Sequence, residues 1–230
     1  MGCKELGTVK SAWLWGLCLL LAGAWAQATA QQPSAHEVVE DATQRVMAVV
    51  AEASEYADED PERYYQQVQT ILDPVIDFRG FARSVMGPYA TSKRYRSLDE
   101  AGQAQLRAQL DRFTEVMRVG LVRTYSKGLL AYSGSRIEVF AISDEEEASG
   151  RAAVRQLIYS GQPDPYLLLY QMGRDKSGQW LLRNVIIESV NLGEIYRSQF
   201  EAAARKYDGN LDAVIDNWET VEVNTSEQDG

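Results

Sequence analysis

The chain has 230 residues, a formal net charge of −10 and an isoelectric point near 4.7. That acidity argues against nucleic acid as a partner and against electrostatic docking on anionic membranes. One histidine and two cysteines leave little material for a metal centre or a nucleophile–base pair.

Lys4 and Lys10 precede the apolar run "SAWLWGLCLLLAGAWA" (11–26), and Ala28-Thr29-Ala30 follows it. Basic start, apolar middle and small-residue end predict a signal peptide over 1–30, cut after Ala30. The run is shorter than the roughly twenty residues that span a bilayer. Acylation of Cys18 would want small residues before it, and Trp15 and Leu17 are large. Both cysteines, Cys3 and Cys18, leave with the leader. The exported chain then has no disulfide and stands on its hydrophobic core, a combination that suits a bacterial periplasm. Without Lys4, Lys10 and Glu5, a net +1, its charge is −11. Residues 31–220 have the length of one domain, and the polar stretch 221–230 is expected to be disordered.

From His36 to Tyr56, apolar residues recur at three and four, the period of an amphipathic helix. Asp60 is placed to cap a second helix with Pro61 at its first position, ending near Pro74. A short helix is expected over 77–87, with Asp77 as N-cap and Gly87-Pro88 as the stop. "TSKRYRS" (91–97) has the spacing of a surface loop. Ser97 and Glu100 are spaced as a capping box for a long helix carrying Leu106, Leu110, Phe113, Met117, Leu121 and Tyr125.

Past Gly134 the period falls to two. Strands are expected over 136–142, 151–161, 165–174 and 179–190, with an acidic turn at 143–150 and a hairpin turn at 175–178. Short connections make the sheet antiparallel. Asn191 or Gly193 opens a helix through Tyr207, and Leu211–Trp218 forms the last one. The expected class is α+β: N-terminal helices, a twisted antiparallel sheet of about four strands, then C-terminal helices.

His36 is isolated near the start of the exported chain and reads as a surface residue. The runs Asp58-Glu59-Asp60 and Asp144–Glu147 read as solvated turns. No phosphate-binding glycine pattern is present. Neither a catalytic set nor a metal or cofactor site is legible. The unusual feature is apolar. On an unbroken strand Trp180, Leu182 and Ile186 share one side and Leu181, Val185 and Ile187 the other. Likewise Leu167 and Leu169 oppose Tyr166, Leu168, Tyr170 and Met172. An antiparallel sheet with two apolar faces needs two covers. Either helices supply both, or one side holds an apolar guest.

Several marks stand in a characteristic order. Asp77-Phe78 is followed by Val85-Met86-Gly87, then "TYSKGLLAYSG" (124–134), a strand of tyrosines and leucines, the Trp180–Ile187 strand, Tyr196-Arg197-Ser198-Gln199-Phe200 and "GNLDAVIDNW" (209–218). In this order and spacing the chain resembles the MlaC family over about 36–219. It departs at Asn184, where the family usually has aspartate, at Ser189-Val190-Asn191 in place of a glycine-serine step, and at Tyr89, where tryptophan is common.

The resemblance implies a periplasmic phospholipid carrier, with acyl chains in an apolar cavity between sheet and helices and no catalytic residue. It implies two partners, an inner-membrane MCE-type ABC transporter complex and an outer-membrane lipoprotein–porin complex, and a role in outer-membrane lipid asymmetry. The chain is read as a monomer. The expected pocket residues are Phe78, Phe81, Val85 and Met86 from the short helix, Met117, Leu121 and Tyr125 from the long helix, and Leu167, Leu169, Trp180, Leu182 and Ile186 from the strands. Two other readings stay open: a protein-binding adaptor with a solid core, and an enzyme of the cone-shaped α+β type.

Overall fold

A computed structural model describes residues 32–221. The expected signal peptide and the tail beyond Val221 lie outside them.

Helix α1 (Ala35–Ala53) starts at a capping box: the Ser34 hydroxyl accepts from the Glu37 N–H at 3.2 Å, and the Glu37 carboxylate accepts from the Ser34 N–H at 2.7 Å. Helix α2 (Pro61–Leu72) has Asp60 as its cap and Pro61 at its first position, as expected. Helix α3 (Phe78–Met86) is capped by Asp77, whose carboxylate accepts from the Gly80 N–H at 2.9 Å.

The stretch read as a loop at 91–97 is instead a short helix, α4 (Ser92–Ser97), capped by Thr91. That displaces the expected capping box. Ser97 is still helical and gives its hydroxyl to the Arg94 carbonyl, so it cannot take the extended backbone of an N-cap. Asp99 caps the long helix α5 (Glu100–Leu129).

The sheet runs in the order β1-β2-β3-β4-β5, all antiparallel. Strands β1 (Arg136–Val139), β2 (Arg151–Tyr159), β3 (Tyr166–Arg174) and β4 (Trp180–Ile187) were expected. The fifth, β5 (Val190–Asn191), was not. It folds back through Glu188 and Ser189, with φ of 48° and 73°, the double left-handed turn that suits a two-residue hairpin. The acidic turn is also a helix, α6 (Asp144–Ser149), with Ser143 and Glu146 as its capping box and Gly150 in the left-handed conformation at its end. Four carboxylates in its first turn complement the helix dipole. Helices α7 (Leu192–Lys206), capped by Asn191, and α8 (Leu211–Asp216) complete the fold.

Strand β4 changes phase in its middle. Leu182 pairs with Met172 and Asn184 with Gln171, so Arg183 is an extra residue. Such a bulge reverses the alternation beyond it. Trp180 and Leu182 therefore share a face with Val185 and Ile187, and Ile186 turns to the opposite face. Grouping Trp180, Leu182 and Ile186 on one side is corrected on this point.

The segment before α3 anchors the bulge. Leu182 gives its N–H to the Val75 carbonyl at 2.8 Å and accepts from the Asp77 N–H at 3.0 Å. Arg183 then pairs with the Asp77 carboxylate. One aspartate thus caps α3 and holds the extra residue. Asp77→Ala removes both contacts and is expected to lower stability by about 1–2 kcal/mol in urea unfolding. Asp77→Asn keeps the cap and loses only a partly exposed ion pair, so its loss should be about half of that or less. Equal losses would place the effect in the ion pair.

Candidate functional site

The inner face of the sheet carries Ala152, Val154, Gln156 and Ile158 from β2, Tyr166, Leu168, Tyr170 and Met172 from β3, and Trp180, Leu182, Val185 and Ile187 from β4. The pairs Val154–Tyr170, Gln156–Leu168, Met172–Leu182 and Tyr170–Val185 fix this set. The helices lie over it in three packed groups.

At one end Ala35 and Val39 of α1 close on Ala152, Val154, Met172, Trp180 and Leu182. A second group joins α1, α2, α3 and α5 through Val50, Tyr64, Val68, Phe78 and Val122. The third joins α3, α5, α7 and α8, with Phe81, Val85, Met86, Phe113, Met117 and Phe200 at its centre. There the Phe113 ring lies 5.0 Å from both Phe200 and Trp218, pairs worth about 0.5–1.5 kcal/mol each beyond burial.

The three groups meet through residues that are only half-buried. Leu121 joins the second and third, Ile76 the first and second, Val185 the first and third. The inner row between them, Tyr166, Leu168, Tyr170 and Ile187, is half-buried too. Tyr125, Leu129 and Leu130 add half-buried surface from α5 and the turn after it. A tightly packed core would not leave so many large apolar side chains in that state.

Polar groups near this row are few and mostly tied. The Thr43 hydroxyl donates to Gln156 Oε1 at 2.8 Å, and Gln156 is itself buried. Burial raises the Tyr170 phenol well above its ordinary pKa, against a smaller opposing effect of Gln156. Tyr132, whose ring meets Tyr166 at 5.5 Å, is pushed up to about 12 by burial, by Tyr166 and by the Glu188 charge. The Tyr125 and Tyr196 hydroxyls lie 3.3 Å apart. His36 sits half-buried, with Nε2 3.3 Å from the Val139 carbonyl. Among the described residues no group of three His, Cys, Asp or Glu is placed to hold a metal ion.

The family model of the MlaC protein matches residues 40–220. The chain belongs to the MlaC family. It is 29% identical over 203 residues to the toluene tolerance protein ttg2D of Pseudomonas putida, covering 88% of this chain and 87% of that protein. It also matches the solved phospholipid-binding protein from Ralstonia solanacearum, in complex with a phospholipid, with a TM-score of 0.65. That match covers 80% of this chain and 94% of the other at 18% identity, a likeness of fold. The expected MlaC fold class, helices around an antiparallel sheet, agrees with the observed one, with a fifth strand added.

Within this MlaC-family fold the twelve expected pocket residues divide into three sets. Phe78, Phe81, Val85, Met86, Met117, Trp180 and Leu182 are buried inside the packed groups. Leu121 and Tyr125 are half-buried and pack against the third group, as Val185 and Ile187 do. Leu167, Leu169 and Ile186 lie on the other side of the sheet, where Leu169 pairs with Ile186. The structure therefore does not bring all twelve to one wall. The residues not foreseen are Tyr166, Leu168, Tyr170, Val185 and Ile187. Arg151 and Arg155 held the only cue: a strand with charges at those positions faces its Val154 and Ile158 inward.

Two surface grooves lie elsewhere. One of about 670 Å³ runs between α5 and residues 218–220, the other of about 550 Å³ between α3, the following turn and α7. Neither includes a strand residue.

The tyrosines give a pH test. Tyr64 is held up to about 12, mainly by burial. A phenol raised in this way favours folding while neutral. Its contribution is whole below the unfolded value near 10 and is lost as pH rises through about 12. Absorbance titration at 295 nm should leave a subset of the tyrosines neutral at pH 11, and stability should fall between about pH 10 and 12. Full ionisation by pH 11 with the fold intact would contradict these environments.

Proposed function

We propose that the chain is a periplasmic phospholipid carrier, exported by its leader and cut after Ala30. On this reading acyl chains occupy the space between the inner row of the sheet and α5, and the headgroup points to solvent. The half-buried row Tyr166–Leu168–Tyr170–Ile187, hemmed by three closed groups, carries the proposal. Family membership and the phospholipid-binding title of the Ralstonia solanacearum neighbour support it.

The chemistry required is solvation, not reaction. Each buried methylene is worth about 0.8 kcal/mol, so an acyl chain leaves such a site slowly unless a partner opens it. No acid–base pair is needed. Loading and release then fall to the two Mla-type complexes, the inner-membrane MCE-type ABC transporter and the outer-membrane lipoprotein–porin complex. The carrier works as a monomer over 31–220 and maintains outer-membrane lipid asymmetry.

Native mass spectrometry of protein isolated from periplasm without detergent should show phospholipid bound. A carboxylate placed in the row opposes the acyl chain, so Leu121→Asp and Leu168→Asp should each lower occupancy of the folded protein by about tenfold or more. Leu169→Asp, on the opposite face, should leave occupancy of the folded protein near wild type. Equal loss in all three would remove the distinction between the faces. A bare protein mass, with no lipid taken up from vesicles, would favour the adaptor.

A further inference from the structure

The outer face of the sheet carries a row of half-buried apolar side chains. Leu157 pairs with Leu167, and Leu169 pairs with Ile186, so the four side chains form a connected row across β2, β3 and β4. None of them packs against any of the three buried groups. The row is edged by aromatics that carry arginines: the Arg155 guanidinium lies 4.1 Å over the Phe140 ring, and Arg136 lies 3.7 Å over Tyr159.

The charge on this face is mostly basic; Glu138, opposite Leu157, is an acidic neighbour already paired with Arg136. Arg151 and Arg155 are exposed on one side of β2, with Ala153 between them. Among the described residues neither forms an ion pair. A protein of net charge −10 thus shows, among the described residues, two arginines with no carboxylate partner beside its leucine row. At the screening length of about 8 Å in physiological salt, a neighbour meets this local charge more than the net one. Aromatic and arginine side chains are the types enriched at interface centres, and the leucines add apolar area beside them.

Helices cover the inner face, and an apolar sheet face is ordinarily covered in the same way. We propose that the outer face docks an amphipathic helix of a partner protein. Its apolar stripe lies on Leu157, Leu169 and Ile186, and its acidic flank meets Arg151 and Arg155. The two arginines stand four positions apart along the strand, about 13–14 Å, which matches about two and a half helical turns. The docking surface is independent of the cargo site, because it lies on the other side of the sheet.

The test is photo-crosslinking in cells from a reactive residue in place of Ala153, with exposed Gln44 on α1 as the control position. The expected adduct joins Ala153, and not Gln44, to another protein through a helical segment rich in Asp and Glu. Arg151→Glu with Arg155→Glu should reduce that adduct about tenfold or more, with phospholipid occupancy unchanged. Adducts only to a second copy of the chain, adducts only to lipid, no adduct, or one that survives charge reversal would each overturn the proposal. Occupancy measured on the same double variant separates this outcome from a failure of the carrier reading.

Discussion

The structure depends on one contact, the clamp between the segment before α3 and the middle of β4. Leu182 is bonded through both its N–H and its carbonyl to residues 75 and 77. A single strand position is thereby tied to the start of a helix. Beyond that point the strand carries an extra residue, and Arg183 turns outward to pair with Asp77. The phase of everything after residue 183 follows. Val185 and Ile187 face the helices, and Asn184 and Ile186 face away. Asn184 then accepts from the Gly193 N–H at 3.0 Å and donates to Asn191 Oδ1 at 2.8 Å, which fixes the turn into α7. A polar residue at the start of the outward phase is thus used to place the next helix.

The same phase change shapes the candidate site. Had the alternation run unbroken, Trp180, Leu182 and Ile186 would have formed one continuous wall. With the bulge, the inner face has a closed end and a looser one. Trp180, Leu182 and Met172 are packed under α1, and Trp180 gives its indole N–H to Glu147 at 3.2 Å. Val185 and Ile187 pack on the third group and Tyr170 on the first, and with Leu168 on the same face all stay half-buried. Rigid packing at one end and half-buried side chains at the other fit the proposed carrier, which would stay assembled while its cargo enters or leaves.

Charge is organised by element. The acidic stretch 144–147 forms a capped helix that takes Arg174 and Trp180, so its carboxylates serve the sheet edge as well as solvent. Arg118 bridges Asp73 and Glu115, and Arg112 reaches Asp212 and Asp216, tying α5 to its neighbours through partly exposed pairs that contribute modestly. Arg151 and Arg155 on the outer sheet face belong to no such pair, which is why that face stands apart chemically.

Much of the fold was legible in the sequence because its cues are local. Apolar spacing marked α1, α2, α3, α5 and α7. Asp60 and Asp77 were placed correctly as caps, and period-two alternation located four strands. The errors came where two local cues competed: Ser97 was taken by α4 before it could cap α5, and Ser143 with Glu146 made a helix of an expected turn. The order of motifs also carried the family. What the sequence by itself could not determine was the phase of β4 beyond its middle. A bulge is created by contacts between residues 75–77 and 182–183, distant in sequence, and a single extra residue sends each later side chain to the opposite face. In β3 the outward face of Leu167 and Leu169 was marked by Arg151 and Arg155 on the neighbouring strand, and only the tertiary structure decided that Ile186 looks outward with them while Val185 and Ile187 join Trp180 and Leu182 on the helix side.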